Sequence, residues 1–440
     1  MNHIDVFVVT LGCAKNRVDT ELMLGKLKEK GVYIAGEPED SDVIIVNTCG
    51  FIQDAKEESI SAVFEAVSLK EKENPKGIVV TGCLPERFKQ QLAEELNEAD
   101  VYMGVNDYHD IYDAVLNAYN GVKKNYFSER YPVYDYQKRV LTTPQHMAYV
   151  RIAEGCDNRC SYCVIPDIRG RYRSRDMEDI LGEITGLVGG GVKEIVLIAQ
   201  DTTRYGTDNY RKPMLHRLLK KAAKIQGVRW LRVLYCYPEN ITDDLLDVMG
   251  AYDNIIKYVD MPVQHLDDTI LKKMRRRYTY EQIRELVRRI RSRGEFILRT
   301  SLITGFPGET KAAHERLLSA VRELKFDRLG VFKYSREEGT KAATFLGQVK
   351  EEIKVKRRNE IMRVQSGISY KSNRRFVGQT LSVLVEEKTE EADMYAGRAY
   401  IHAPEIDGNV FVRTKKDLTP GAFHDVVITE AYDYDLMGEI

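Results

Sequence analysis

Six of the seven cysteines fall into two sets of three with different spacing. Cys156, Cys160 and Cys163 stand in a tight Cys-x-x-x-Cys-x-x-Cys loop. Cys13, Cys49 and Cys83 are dispersed, yet each follows a short apolar, β-branched run: Val6–Thr10, Val43–Val46 and Ile78–Thr81. Thiolates are soft ligands that select zinc or iron–sulfur groups. Each set reads as a three-thiolate metal site. Three thiolates can hold three irons of a 4Fe–4S cluster, which leaves the fourth iron open to a substrate or cofactor. Zinc would want a fourth, tetrahedral ligand, for which His146 is available. For the dispersed set, the plain alternative is three buried small side chains. Cys236, within Leu234-Tyr235-Cys236-Tyr237-Pro238, has no partner at ligand spacing and is assigned to packing.

The elements around these residues follow from hydrophobic pattern. Residues 1–122 alternate strand runs (the three above and Val101–Gly104) with helical segments such as Arg17–Lys30 and Asp54–Lys70. That alternation predicts a doubly wound parallel α/β sheet, whose functional loops gather at the carboxyl ends of the strands. Lys123–Thr143 is rich in Tyr and charge with weak periodicity and reads as a linker. A second strand–helix series fills 142–370, with strands at Met147–Ala153, Glu194–Ala199, Trp230–Tyr235, Tyr258–Val263, Phe296–Thr304 and Arg328–Phe332. Helices Met177–Leu187 and Tyr280–Arg293 lie between them, so a partial, TIM-like β/α barrel is expected. Gly189-Gly190-Gly191 reads as a helix end rather than a phosphate loop. A charged helix over 350–370 leads into 371–440, where short strands with Gly and Pro punctuation predict a small OB-like β-barrel.

The bulk numbers set the class. With 440 residues, 43% hydrophobic and 30% charged, the chain reads as a globular protein of two or three domains. A formal charge of −1 gives no global argument for nucleic-acid binding. Met1–Asp5 lacks a basic leader, and no apolar stretch approaches the ~20 residues of a membrane span. The expected location is the cytoplasm, without membrane contact, where thiols stay reduced and clustered cysteines act as ligands or redox groups.

The loop Glu154–Cys163, with aromatic Tyr162 before its last cysteine, resembles the signature of the radical S-adenosylmethionine superfamily. That resemblance implies an open iron chelated by S-adenosylmethionine, and electron transfer that breaks its carbon–sulfur bond to a 5′-deoxyadenosyl radical. Gln200, Gln264 and the segment Leu302–Glu309 end strands of the expected barrel. Tyr162, Gln200 and Gln264 are the candidate cofactor contacts. The two glutamines could equally orient neighbouring loops.

The combination of a three-cysteine α/β domain, the central loop and a terminal barrel similar to the TRAM domain resembles the methylthiotransferase family over almost the whole chain. That implies two 4Fe–4S clusters, one on Cys13, Cys49 and Cys83 and one on Cys156, Cys160 and Cys163. It implies replacement of an unactivated C–H by C–SCH₃. Cys160–Gly170, Leu234–Pro238 and Asp260–His265 are similar to the branch acting on the β-carbon of an aspartate in protein twelve of the small ribosomal subunit. The sibling branch modifies a tRNA adenosine. Residues 371–440 hold eight basic and thirteen acidic side chains, a net −5. An RNA-binding module is normally basic, whereas an acidic one suits a basic ribosomal protein. The implied partners are that protein, free or in the assembled subunit, and a reducing donor such as flavodoxin or ferredoxin. Two basic runs, Arg169–Arg175 and Lys272–Arg277, are either solvated or ion-paired surface charge, or in part a contact to ribosomal RNA or to an acidic substrate side chain near the cluster. A different class also stays open: a zinc-stabilised RNA-binding or assembly factor without redox chemistry.

Overall fold

The computed structural model describes residues 3–72, 74–129, 131 and 135–440, which divide into two compact units. The first holds residues 1–142, 149–173 and 335–340; the second holds 143–148, 174–334 and 341–440.

The first unit is built on β1 (Asp5–Thr10), β2 (Tyr33–Ile34), β3 (Val43–Thr48), β4 (Gly77–Gly82), β5 (Val101–Met103) and β6 (Lys124–Tyr126). They form one parallel sheet in the order β2-β1-β3-β4-β5-β6. Strands buried on both faces show continuous apolar runs, and side chains alternate between the faces. Val43, Ile45 and Val79 pack with Met23 and Leu27 of α1 (Ala14–Glu29) and with Ile111 and Val115 of the helix Ile111–Tyr119. Ile44, Val46, Ile78 and Val80 pack on the other face with Val63 of α2 (Gln53–Lys72) and Leu84 of α3 (Cys83–Glu95). This is the expected doubly wound fold. Each such side chain contributes roughly 1.5–3 kcal/mol of burial, which fixes the two central strands, β3 and β4.

The expected linker is more ordered than its composition suggests, although residues 130 and 132–134 of it lie outside the described residues. Lys124–Tyr126 adds the sixth strand to the sheet. Further on, Arg139 forms a buried ion pair with Glu21 of α1 at 2.6 Å, and the Thr142 N–H donates to Glu21 at 2.9 Å. Gly25 lets that segment approach, since a Cβ there would lie 2.9 Å from the Arg139 Cα. Long-range partners set this structure, so periodicity could not reveal it.

The second unit contains parallel strands Glu194–Ile198, Trp230–Val233, Tyr258–Asp260, Ile297–Thr304 and Arg328–Lys333. The first two pair with each other and the last three form a sheet, all parallel. The bridge Leu231–Ile255 and the Cys236 N–H on the Asp260 carbonyl join the two sets into an open arc. Helices Met177–Gly189, Leu215–Ala222, Asp243–Ala251, Tyr280–Arg291 and Lys311–Leu324 connect the strands. Gly190 caps the first of these, so the triple glycine does end a helix. The long helix Glu351–Arg374 leads to a closed five-stranded barrel of Thr380–Lys388, Met394–Ala399, Val410–Arg413, Phe423–Ala431 and Leu436–Glu439. The last strand closes the barrel by pairing parallel to Val410–Arg413; no turn signal marks it. No helix among the described residues is long and apolar enough to cross a membrane.

Candidate functional site

Register brings the dispersed cysteines to one sheet edge. Thr10 pairs with Asn47, and Asn47 with Thr81, so β1, β3 and β4 end level with one another. Cys13 then caps α1, Cys49 follows β3 and Cys83 opens α3. The turns between them nest closely. Gly12 sits at φ +89°, and a Cβ there would lie 2.9 Å from the Cys49 Cβ. A Cβ on Gly50 would fall 2.8 Å from the Cys83 carbonyl oxygen. Cys49 is fixed by its N–H to Ser59 Oγ at 2.9 Å. Burial pushes the Cys49 thiol pKa up and that of Cys83 up to about 12, with Arg169 pulling Cys83 the other way.

The tight loop lies in the same unit. Its entry needs Gly155 at φ +78°, where a Cβ would overlap the Arg171 carbonyl. The Cys156 N–H donates to the Gly170 carbonyl at 3.0 Å, and the Cys163 N–H to the Cys160 carbonyl at 3.1 Å. The Ile165 N–H points at Cys163 Sγ at 3.5 Å. Cys156 and Cys160 are buried; Tyr162 and Cys163 are half-buried. A five-residue helix, Ile165–Arg169, follows.

Behind both sets lies a polar network. Asp19 of α1 accepts from Arg151 before the loop at 2.5 Å and from Arg169 after it at 2.7 Å. Arg151 also meets Glu154 at 2.6 Å. Asn16, one turn before Asp19, donates to the Thr48 carbonyl at 2.9 Å and accepts from Arg169 at 2.7 Å. Asn16, Asp19, Arg151 and Arg169 are all buried. The acidic neighbours hold Arg169 cationic despite its burial. The sequence carried a signal for them: Asn16 and Asp19 recur at helical spacing directly after Cys13, on a helix with an unusually polar buried face. Arg169 belongs to the first basic run, and burial on Asp19 and Asn16 sets it apart from surface charge. Of that run only Arg171 is largely exposed, at 84% of its side chain, while Arg175 is held by Asp179 and Glu183 at 2.6 Å each. In the second run Lys272, Lys273, Arg275 and Arg277 are exposed, whereas Arg276 is buried over the Tyr237 ring.

In the second unit, Gln200 is half-buried just past the strand Glu194–Ile198. Gln264, at φ +64°, is locked by its N–H on the Ser301 carbonyl at 2.8 Å and its own carbonyl on the Ile303 N–H at 2.7 Å. His265 is fully buried, and burial lowers its pKa to about 4. His146 lies 3.3 Å from Glu386. Cys236 is buried with Thr202 Oγ1 3.7 Å from its sulfur, as packing requires. Among the described residues, no group of three or more His, Cys, Asp or Glu side chains is set to hold a single metal ion. The donors present suit an iron–sulfur cluster, because they are soft thiols on glycine-cleared turns, with N–H and guanidinium donors aimed at sulfur.

A sheet with thiols on its strand ends, a tight three-cysteine loop, a parallel β/α arc and a terminal barrel are the parts that the resemblance to radical S-adenosylmethionine enzymes implies. The family models agree. Residues 5–104 match the uncharacterized protein family UPF0004, 150–321 the radical SAM superfamily and 377–440 the TRAM domain. A solved radical S-adenosylmethionine methyltransferase, TsrM from Kitasatospora setae, shares the fold with a TM-score of 0.58 at 14% identity, covering 90% of this chain and 81% of its own. The ribosomal protein uS12 methylthiotransferase RimO of Thermoanaerobacter sp. (strain X514) is 47% identical over 99% of both chains. The RimO of Clostridium botulinum (strain Hall) is 47% identical over 100% of this chain and 99% of its own. The chain belongs to the ribosomal protein uS12 methylthiotransferase RimO family.

Proposed function

We propose that this enzyme inserts a methylthio group at the β-carbon of an aspartate in ribosomal protein uS12. Two observations meet in that reading: both three-cysteine sets lie in one compact unit, and the full-length relatives are uS12 methylthiotransferases. Two 4Fe–4S clusters and S-adenosylmethionine supply the electron transfer, the hydrogen abstraction and the methyl group. Cys156, Cys160 and Cys163 would hold the cluster that binds S-adenosylmethionine. Cys13, Cys49 and Cys83 would hold the one that handles sulfur. Three ligands each leave one iron open on both. Tyr162 in the first unit, and Gln200 and Gln264 in the second, are the proposed contacts to the cofactor.

The working division of the chain is a methylthiotransferase domain at 1–122, a radical core at 142–370 and a TRAM-like barrel at 371–440. The barrel's charge of −5 favours the basic protein over RNA. A low-potential donor of the flavodoxin or ferredoxin class would reduce the clusters. Exposed Lys272, Lys273, Arg275 and Arg277 are the candidates for a ribosomal RNA contact.

The test is mass spectrometry after anaerobic reaction of reconstituted enzyme with small ribosomal subunits or with tRNA. Methylthiolation of uS12 alone is expected; a product only on tRNA, or a preparation holding zinc without iron and sulfide, defeats the proposal. Cys13→Ala should keep S-adenosylmethionine cleavage and lose methylthiolation. Loss of cleavage, with the tight-loop cluster normally loaded, would contradict the division of labour.

A further inference from the structure

Arg169 is buried in the first unit and its guanidinium is held at three points. It ends the short helix after the tight loop and is 4% exposed. Its Nη1 donates to Asp19 Oδ2 at 2.7 Å. Its Nη2 donates to Asn16 Oδ1 at 2.7 Å and to the sulfur of Cys83 at 3.2 Å. A side chain carried by the element that leaves one cysteine set thus touches a cysteine of the other.

We propose that Arg169 is a positioning residue that raises the reduction potential of the cluster held by Cys13, Cys49 and Cys83. The inference rests on the proposed function only in requiring a cluster there. Each electron added to a cluster increases negative charge on its sulfurs. A donor fixed at a ligand sulfur therefore stabilises the reduced form more than the oxidised one, and hydrogen bonds to sulfur are among the determinants of cluster potential. The local charges set which effect operates. Arg151 and Arg169 face Asp19 and Glu154, two cations against two carboxylates, with Glu154 3.7 Å from Arg169. Within that set the charges balance, and what Arg169 adds at the sulfur is the directed N–H···S bond. That bond depends on the planar fork, because Asp19 and Asn16 hold the guanidinium while Nη2 reaches sulfur. A lysine ammonium keeps the charge but not the fork.

The experiment is an anaerobic redox titration followed by electron paramagnetic resonance, on the full chain reconstituted with iron and sulfide. Cys156→Ala, Cys160→Ala and Cys163→Ala are combined as background so that only the dispersed set gives a signal. Arg169 is compared with R169K, R169Q and R169M. R169M is expected to load the same iron and sulfide. At a fixed potential near the starting midpoint, its reduced-to-oxidised ratio should fall about ten-fold, a shift of about 59 mV for a one-electron couple. R169K should recover part of that. An unchanged or raised midpoint in fully loaded R169M overturns the proposal. Loss of the cluster in all three variants, with the fold retained by circular dichroism, also overturns it and assigns Arg169 to retention of the cluster. Failure of the background chain itself to load iron removes the proposed function as well, which separates the two failures.

Discussion

Glu86 shows what burial does to a carboxylate whose charge is poorly matched. It is 5% exposed on α3, accepts from the Val105 N–H at 3.0 Å and has Lys89 no nearer than 3.8 Å. Burial outweighs both and pushes its pKa up to about 7. Between the ordinary carboxylate range and pH 7 the folded chain then holds a proton that the unfolded chain releases, so stability falls as pH rises through that window. Glu86→Gln is neutral at every pH and escapes this loss. Its urea midpoint relative to the parent should rise from pH 5 to pH 8, by a free energy on the order of 2 kcal/mol. A difference that does not change with pH would show that Glu86 is already ionised. The same competition explains which functional residues were legible. Cysteines announce themselves by type and rarity. Asn16, Asp19 and Arg169 are common surface residues whose burial depends on the strand ends and the tight loop meeting around α1.

The strands and helices that carry the cysteines were legible because their signals are local: β-branched runs two-faced in burial, each ended by Gly or Thr. The segment Lys123–Thr143 was not, because β6 pairs with β5 and Arg139 is held by Glu21 and by the Tyr149 carbonyl, partners distant in sequence or set by tertiary packing. The second barrel strand, Met394–Ala399, pairs on both sides, with Thr380–Lys388 and with Val410–Arg413. Closure of the barrel, not local pattern, sets that register. The turn between β1 and α1 is where an element most directly controls the site. Gly12 combines a left-handed φ with a Cβ position crowded by Cys49. In Gly12→Ala the backbone strain costs about 1–3 kcal/mol, and the added methyl must displace Cys49. The expected outcome is iron and sulfide falling from two clusters per chain toward one, with the signal of the tight-loop cluster kept. Full loading of Gly12→Ala would mean that the turn relaxes without moving the thiol.

The chain as a whole is nearly neutral, but its terminal barrel is acidic and small, and a barrel of its size has little core of its own. Within the second unit a buried charge network attaches it to the β/α arc. Arg398 of the barrel meets Glu194 of the arc at 2.7 Å and Glu386 at 2.8 Å, while Arg232 meets Glu194 at 2.9 Å and donates to the Tyr400 carbonyl at 3.1 Å. His146 completes the set on Glu386. Burial would raise the pKa of Glu386, but the His146 hydrogen bond and the Arg398 charge overcome it and hold it at about 2. Removing one partner of a buried pair strands the other, at about 3–5 kcal/mol. Arg398→Met should destabilise the chain by that order at pH 7, measured by urea unfolding. Glu386→Gln should cost less, because Glu194 keeps both its arginines. Since the folded pKa of Glu386 lies below its unfolded value, its contribution is complete above the ordinary carboxylate range and is lost as pH falls toward 2. The penalty of Glu386→Gln should therefore shrink between pH 5 and pH 3. A penalty that is constant over that range would mean that Glu386 contributes by packing, and that Glu194 alone anchors the barrel's arginine.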